Sequence, residues 1–134
     1  MKTRRHILLA AVLVAASQFA QAEWREIERF EDGMRVYVDQ SSVRREGETA
    51  LLSHLVRWAE PQEEPGQPAY RSTVVQTRYD CLQKREKYLA SVSYSGSMGD
   101  GIKVGADGQE VEHWYSISEA SMEDKLWKIA CGKK

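Results

Sequence analysis

Two hydrophobic patterns divide the chain. Ile7 to Ala16 is an unbroken apolar run of ten residues, behind a start that carries Lys2, Arg4 and Arg5. From Trp24 onward apolar and polar positions alternate over short stretches, the period of half-buried strands. Trp24 to Phe30 runs into Glu31-Asp32-Gly33, a hairpin signal, and Met34 to Val38 follows. Asp39-Gln40-Ser41-Ser42 and Glu46-Gly47 mark turns. Ala50 to Trp58 predicts a strand with Leu52, His54, Val56 and Trp58 on one face. Leu55 falls on the other, so both sides of this strand are expected to be covered.

Glu60 to Ala69 holds all three prolines, Gly66 and three glutamates, and reads as a loop that neither pairs nor buries itself. Ser72 to Cys81 alternates, with Thr73, Val75, Thr77, Tyr79 and Cys81 on one face and Val74, Gln76, Arg78 and Asp80 on the other. After a charged bend at Gln83 to Glu86, Tyr88, Ala90, Val92 and Tyr94 repeat the alternation, which predicts an adjacent antiparallel strand. Ser95 to Gly108 carries five of the nine glycines and reads as turn, and Val111 to Ile117 as a further strand. Ser121-Met122-Glu123-Asp124 has the form of a capping box. It opens a helix with an apolar stripe of Met122, Leu126 and Ile129, on which Trp127 and Cys131 are surface neighbours.

The apolar run changes what the rest can be. With its basic start and Ala20-Gln21-Ala22 at its end, it reads as an export signal over residues 1–22, cleaved before Glu23. A membrane-spanning helix needs roughly twice that apolar length, so no membrane insertion is expected after cleavage. Thr3-Arg4-Arg5-His6-Ile7-Leu8 is also similar to a twin-arginine signal. The ordinary secretory route fits better, because no cofactor motif follows that would require folding before export. No cysteine stands at the cleavage site, so no lipid is expected there. Removing 22 of 134 residues leaves 112, residues 23–134, the size of one domain.

The signal takes three of the 19 basic residues and none of the 20 acidic ones, so the mature charge is about −4. With both signs interspersed, that balance gives no footprint for nucleic acid and no basic stripe for an anionic membrane. Cys81 and Cys131 are the only cysteines. In an oxidising compartment an even pair reads as a disulfide. A metal site would need further ligands, and the mature chain offers only His54 and His113, far apart; a redox pair would be Cys-x-x-Cys. The bridge would close a loop of about 50 residues, worth roughly 4 kcal/mol in the chain-entropy model. It would pin the helix to the sheet. The expected class is α+β, an antiparallel sheet of about five to six strands with a C-terminal helix packed on one face.

Candidate chemistry is sparse. Gly96-Ser97-Met98-Gly99-Asp100-Gly101 invites a phosphate-loop reading, but a P-loop needs lysine and a hydroxyl after its last glycine, and Ile102 follows. A dinucleotide fingerprint has other spacing and opens a helix. A mobile turn between strands accounts for the same residues. His54 alternates with Leu52 and Val56, as a packed or pairing histidine does. Glu60, Glu63 and Glu64 lack the spacing of a calcium loop. The tyrosines and tryptophans mostly fit strand or helix faces, where they fill cores or anchor interfaces. No catalytic, cofactor-binding or metal-binding constellation emerges.

Read together, several short motifs carry a family likeness. They are Trp24, Val36-Tyr37-Val38-Asp39, Ser41-Ser42-Val43, Val56-Arg57-Trp58, Tyr70-Arg71-Ser72 and Tyr79-Asp80-Cys81. The run Ser93-Tyr94-Ser95-Gly96-Ser97-Met98-Gly99-Asp100-Gly101 and the closing Leu126-Trp127-Lys128-Ile129-Ala130-Cys131 complete the set. In their order and paired cysteines they make the mature region resemble the surface-adhesin protein E family of proteobacterial envelope proteins. The resemblance implies an antiparallel sheet with a C-terminal helix tied to it by a disulfide. It also implies a non-catalytic envelope protein that binds another protein. The family's namesake binds host matrix and serum proteins, laminin, vitronectin and plasminogen among them, from a lipid anchor; this chain departs there, lacking the lipidation cysteine. The binding element expected is the loop of Tyr94, Ser95, Gly96, Met98, Gly99 and Asp100. The alternative is a soluble periplasmic inhibitor or ligand-binding module. Location is expected to be periplasmic, with the cell surface or exterior as the other outcomes. Partner identity and oligomeric state stay open.

Overall fold

A computed structural model describes residues 22–108 and 111–134; the signal segment, with its twin-arginine and cleavage readings, lies outside the described residues. One antiparallel sheet forms the body. Its strands are β1 (Arg25–Arg29), β2 (Arg35–Val38), β3 (Arg44–Glu46), β4 (Thr49–Gln62), β5 (Tyr70–Asp80), β6 (Arg85–Tyr94), β7 (Lys103–Asp107) and β8 (Tyr115–Ser116). The order across the sheet is β1-β2-β4-β5-β6-β7, with β3 beside β4 and β8 beside β6. Among the described residues one α-helix, α1 (Met122–Cys131), follows.

Because the main path alternates direction, the β1–β2, β4–β5 and β6–β7 connections all emerge at one end of the sheet. The helix and the β5–β6 turn occupy the other. β4 and β5 pair from Thr49↔Asp80 to Arg57↔Ser72, as their alternation requires. Ala50, Leu52 and Tyr79 are fully buried toward the helix, where Val38, Ile117, Leu126, Ala130 and Cys131 complete the core.

The helix starts where Ser121 Oγ accepts the Asp124 N–H at 3.0 Å. It ends at Gly132, whose left-handed φ of 64° suits glycine. Ten residues are too few for an isolated helix to persist in water, so docking must hold it. Leu126 and Ala130 bury against the sheet. Trp127 Nε1 donates to the Asp80 carbonyl at 2.8 Å. The buried Asp124 carboxylate meets Lys84 Nζ at 2.8 Å and Lys128 Nζ at 3.3 Å, and Lys125 pairs with Glu28 of β1. Cys81 and Cys131 are joined by a disulfide across a separation of 50 residues.

Four details differ from the sequence expectation. β4 continues through Pro61 to Gln62, so only the rest of the proline segment is loop. Its pairing with β5 skips from Arg57 to Gln62, because proline has no N–H for the ladder. In β6 the register shifts between Gln76↔Ala90 and Thr77↔Tyr88, inserting Leu89 as a bulge. Tyr88 therefore shares the helix side with Thr77, while Ala90, Val92 and Tyr94 turn to the opposite face. The glycine-rich stretch contains a strand, β7, and the strand expected over 111–117 shrinks to Tyr115–Ser116.

Candidate functional site

The loop between β6 and β7 folds back over the sheet face opposite the helix. Ser72, fully buried on β5, ties it down: its Oγ donates to the Gly96 carbonyl at 2.6 Å and accepts the Gly99 N–H at 2.9 Å. Gly99 has a φ of +68°, and a Cβ there would sit 3.1 Å from Leu55 Cδ1 and 3.3 Å from Val74 Cγ2. Only glycine lets the backbone lie this close to the sheet. That contact helps cover Leu55, the β4 residue predicted to be buried on the second side. The Asp100 carboxylate accepts the Met98 N–H at 3.2 Å, and the Asp100 carbonyl accepts the Gly96 N–H at 2.9 Å. Ser95 N–H donates to the Ile102 carbonyl at 2.9 Å while Ser95 Oγ accepts the Ile102 N–H at 2.8 Å.

The structure thus brings Ser95, Gly96, Met98, Gly99 and Asp100 into one compact turn, with Tyr94 at its base paired to Ser72 and Lys103. Where a mobile turn was expected, the backbone is tethered at several points. Ser72→Ala removes the tether and takes this partner from the part-buried Gly96 carbonyl and Gly99 N–H. It should lower stability by about 1–3 kcal/mol. Amide exchange should rise first in residues 96–102; exchange no faster there than in wild type would count against the tether.

Just beyond the turn stands Ile102, 72% exposed, and Phe30 is partly exposed in the β1–β2 turn at the same end. The sequence reading missed Ile102 because a lone isoleucine after a glycine run carries no pattern.

The helix side holds a second concavity, of about 290 Å³, lined by His54, Val75, Thr77, Glu86, Tyr88, Tyr115, Met122, Glu123 and Leu126. His54 is packed, as its alternation predicts, and its buried Nδ1 has no hydrogen-bond partner among the described residues. Burial holds its pKa down at about 4. Glu86 was read as part of a charged bend. It lies instead on β6, where burial and then the nearby Glu123 raise its pKa to about 7. His113 is exposed and meets Tyr115 edge-on at 4.5 Å between ring centres. Glu60, Glu63 and Glu64 stay exposed, with Glu64 accepting from the Tyr70 hydroxyl at 3.2 Å.

Among the described residues, no group of three or more His, Cys, Asp or Glu is placed to hold a metal ion, and no helix is long and apolar enough to cross a membrane. No curated protein matches the sequence significantly. Solved structures of Haemophilus influenzae protein E do match. Crystal form II aligns with a TM-score of 0.66 at 16% identity, covering 91% of this chain and 97% of that one. A second protein E structure from the same organism gives 0.66 at 14% identity, covering 85% and 87%. At such identities the likeness shows the fold alone. The family profile described as surface-adhesin protein E matches residues 24–132, which takes in the sheet, the glycine turn and both cysteines, and the chain belongs to that family.

Proposed function

We propose that the chain is an exported, non-catalytic adhesin-like protein, and that it grips a protein partner with the hairpin end of its sheet. Family membership supports an adhesin-like surface protein. The observation that carries the reading further is Ile102. Its side chain is largely exposed, yet Ser95 fixes its backbone on both the N–H and the C=O. An apolar anchor on a preordered backbone loses little entropy when it docks. The loop of Tyr94 to Asp100 then serves as the support of the binding element, and its glycines and Ser72 as the means of holding it.

The test is binding of the purified mature chain to host matrix and serum proteins and to an envelope-protein panel. Protease treatment of intact cells runs in parallel, to separate surface from periplasm. Ile102→Asp should weaken binding at least tenfold with the melting temperature unchanged. Leu82→Asp, 70% exposed at the opposite end, should leave it intact. Equal effects from both changes, or none, would remove the hairpin end from the reading. The concavity beside the helix favours a second reading, a ligand-binding module. In that case Met122→Arg abolishes function and Ile102→Asp does not.

A further inference from the structure

Beside the glycine turn, at the hairpin end, lies a separate pocket of about 150 Å³. It is lined by Arg35, Arg57 and Arg71, with Ser97 from the turn and walls from residues that include Trp58 and Pro61. Arg35 and Arg57 are register partners across β2 and β4. Arg71 comes from β5, next to the buried Ser72 that anchors the turn. No carboxylate lines the pocket. Arg35 has one partial counter-charge, Glu26 at 3.6 Å, which is shared with Arg29 at 3.1 Å. Neither Arg57 nor Arg71 makes an ion pair among the described residues. Asp32 and Glu60, nearby acids in sequence to Arg35 and Arg57, both lie outside the lining.

Three arginines line one small concavity, where like charges repel, and the arrangement sits in a chain whose acidic residues outnumber its basic ones. Such a cluster is stabilised when an anion enters. Arginine's planar fork fits the oxygens of a phosphate two at a time, which lysine cannot do. The space also suits one headgroup-sized anion. It is smaller than the roughly 300–1,000 Å³ of pockets that enclose a drug-sized molecule. The indole N–H of Trp58 is already committed to Thr73 Oγ1 at 3.0 Å, leaving its ring as an apolar wall. Ser97 is the one hydroxyl in the lining, within the turn that Ser72 holds still.

We infer that Arg35, Arg57, Arg71 and Ser97 form a binding site for a phosphate group, free or carried on a lipid headgroup. The inference does not depend on the protein-binding reading, because none of these residues is the anchor tested there.

Two titrations of the mature, disulfide-bonded chain test it, one with inorganic phosphate and one with phosphatidylglycerol vesicles against phosphatidylcholine vesicles. Binding of phosphate alone assigns the free anion as the source. Binding of the anionic vesicles, with or without phosphate, assigns the headgroup. In either case Arg57→Gln and Arg71→Gln should each weaken binding at least tenfold, and Arg57→Lys by less. Arg44→Gln, an exposed cation on β3, should change nothing. All these side chains are partly or fully exposed, so melting temperatures should hold and confirm that each variant is folded. Absence of binding in both titrations overturns the site. So does equal weakening by Arg44→Gln, which would mark diffuse charge attraction.

Discussion

Cys131→Ser, or Cys81→Ser, should lower the free energy of unfolding by about 2–5 kcal/mol. The bond spans 50 residues, a loop that contains β6, β7, β8 and nearly all of α1. Closing a loop of that length removes roughly 4 kcal/mol of denatured-state entropy in the chain-entropy model. Little else can replace it. The helix has only ten residues, and its buried contribution to the sheet centres on Leu126 and Ala130. Without the bond, the Trp127–Asp80 hydrogen bond and the Asp124–Lys84 pair still mark its place, so the helix should stay docked but open more often. Amide exchange in residues 122–131 should accordingly accelerate more than in β4 and β5. Denaturant unfolding of the oxidised chain and the two serine variants measures the loss. Two free thiols in protein taken from the periplasm would remove the premise.

The second large effect is on pH dependence, and it comes from two groups of opposite sign, the buried His54 and the half-buried Glu86. His54 is 92% buried by its 8% exposure, and its folded pKa of about 4 lies below the ordinary 6.5. Between those values the unfolded chain binds the extra proton. His54's contribution is thus intact above pH 6.5 and lost as pH falls toward 4, a loss of about 3 kcal/mol. Glu86 works the other way. With a folded pKa of about 7 against 4.5, the folded chain holds the proton in between, and stability falls as pH rises from 4.5 through 7. The wild type should therefore show a shallow profile in the shared window, because the two slopes oppose. Glu86→Gln should expose the histidine's steep loss on acidification and raise stability at pH 8. His54→Gln should do the reverse, leaving a profile that declines from pH 4.5 to 7. Single variants whose profiles match the wild type would mean that neither group is shifted as described.

Much of this architecture was legible because it is local. The alternation of Thr73, Val75, Thr77 and Tyr79 placed β5 and its inward face. The Ser121 cap located the helix start to the residue, and the cysteine count joined helix to sheet. What escaped was set by pairing between distant segments. The Leu89 bulge reverses the faces of the later β6 residues, and nothing in that stretch alone announces it. Pro61 argued for loop, yet β4 tolerates it where its register with β5 breaks. β7 was hidden among glycines that the close approach of the turn demands.

The candidate sites follow the same division. The glycine turn was visible as a composition shift, while its tether, Ser72, lies 24 residues before Gly96 and is supplied by strand pairing. Arg35, Arg57, Arg71 and Ser97 are scattered over more than sixty positions, and an overall acidic balance averages their local positive charge away. Glu86 looked like part of a solvated bend because its neighbour across space, Glu123, comes from the helix.

On the proposed reading the hairpin end, opposite the disulfide-pinned helix, is the protein-binding surface. Its most direct test is a photo-crosslinking side chain placed at position 102 or at position 82 in the exported chain, activated in cells in the presence of host matrix and serum proteins. A discrete crosslinked partner is expected from position 102 and none from position 82. A partner captured from position 82 alone, or equally from both, would contradict it.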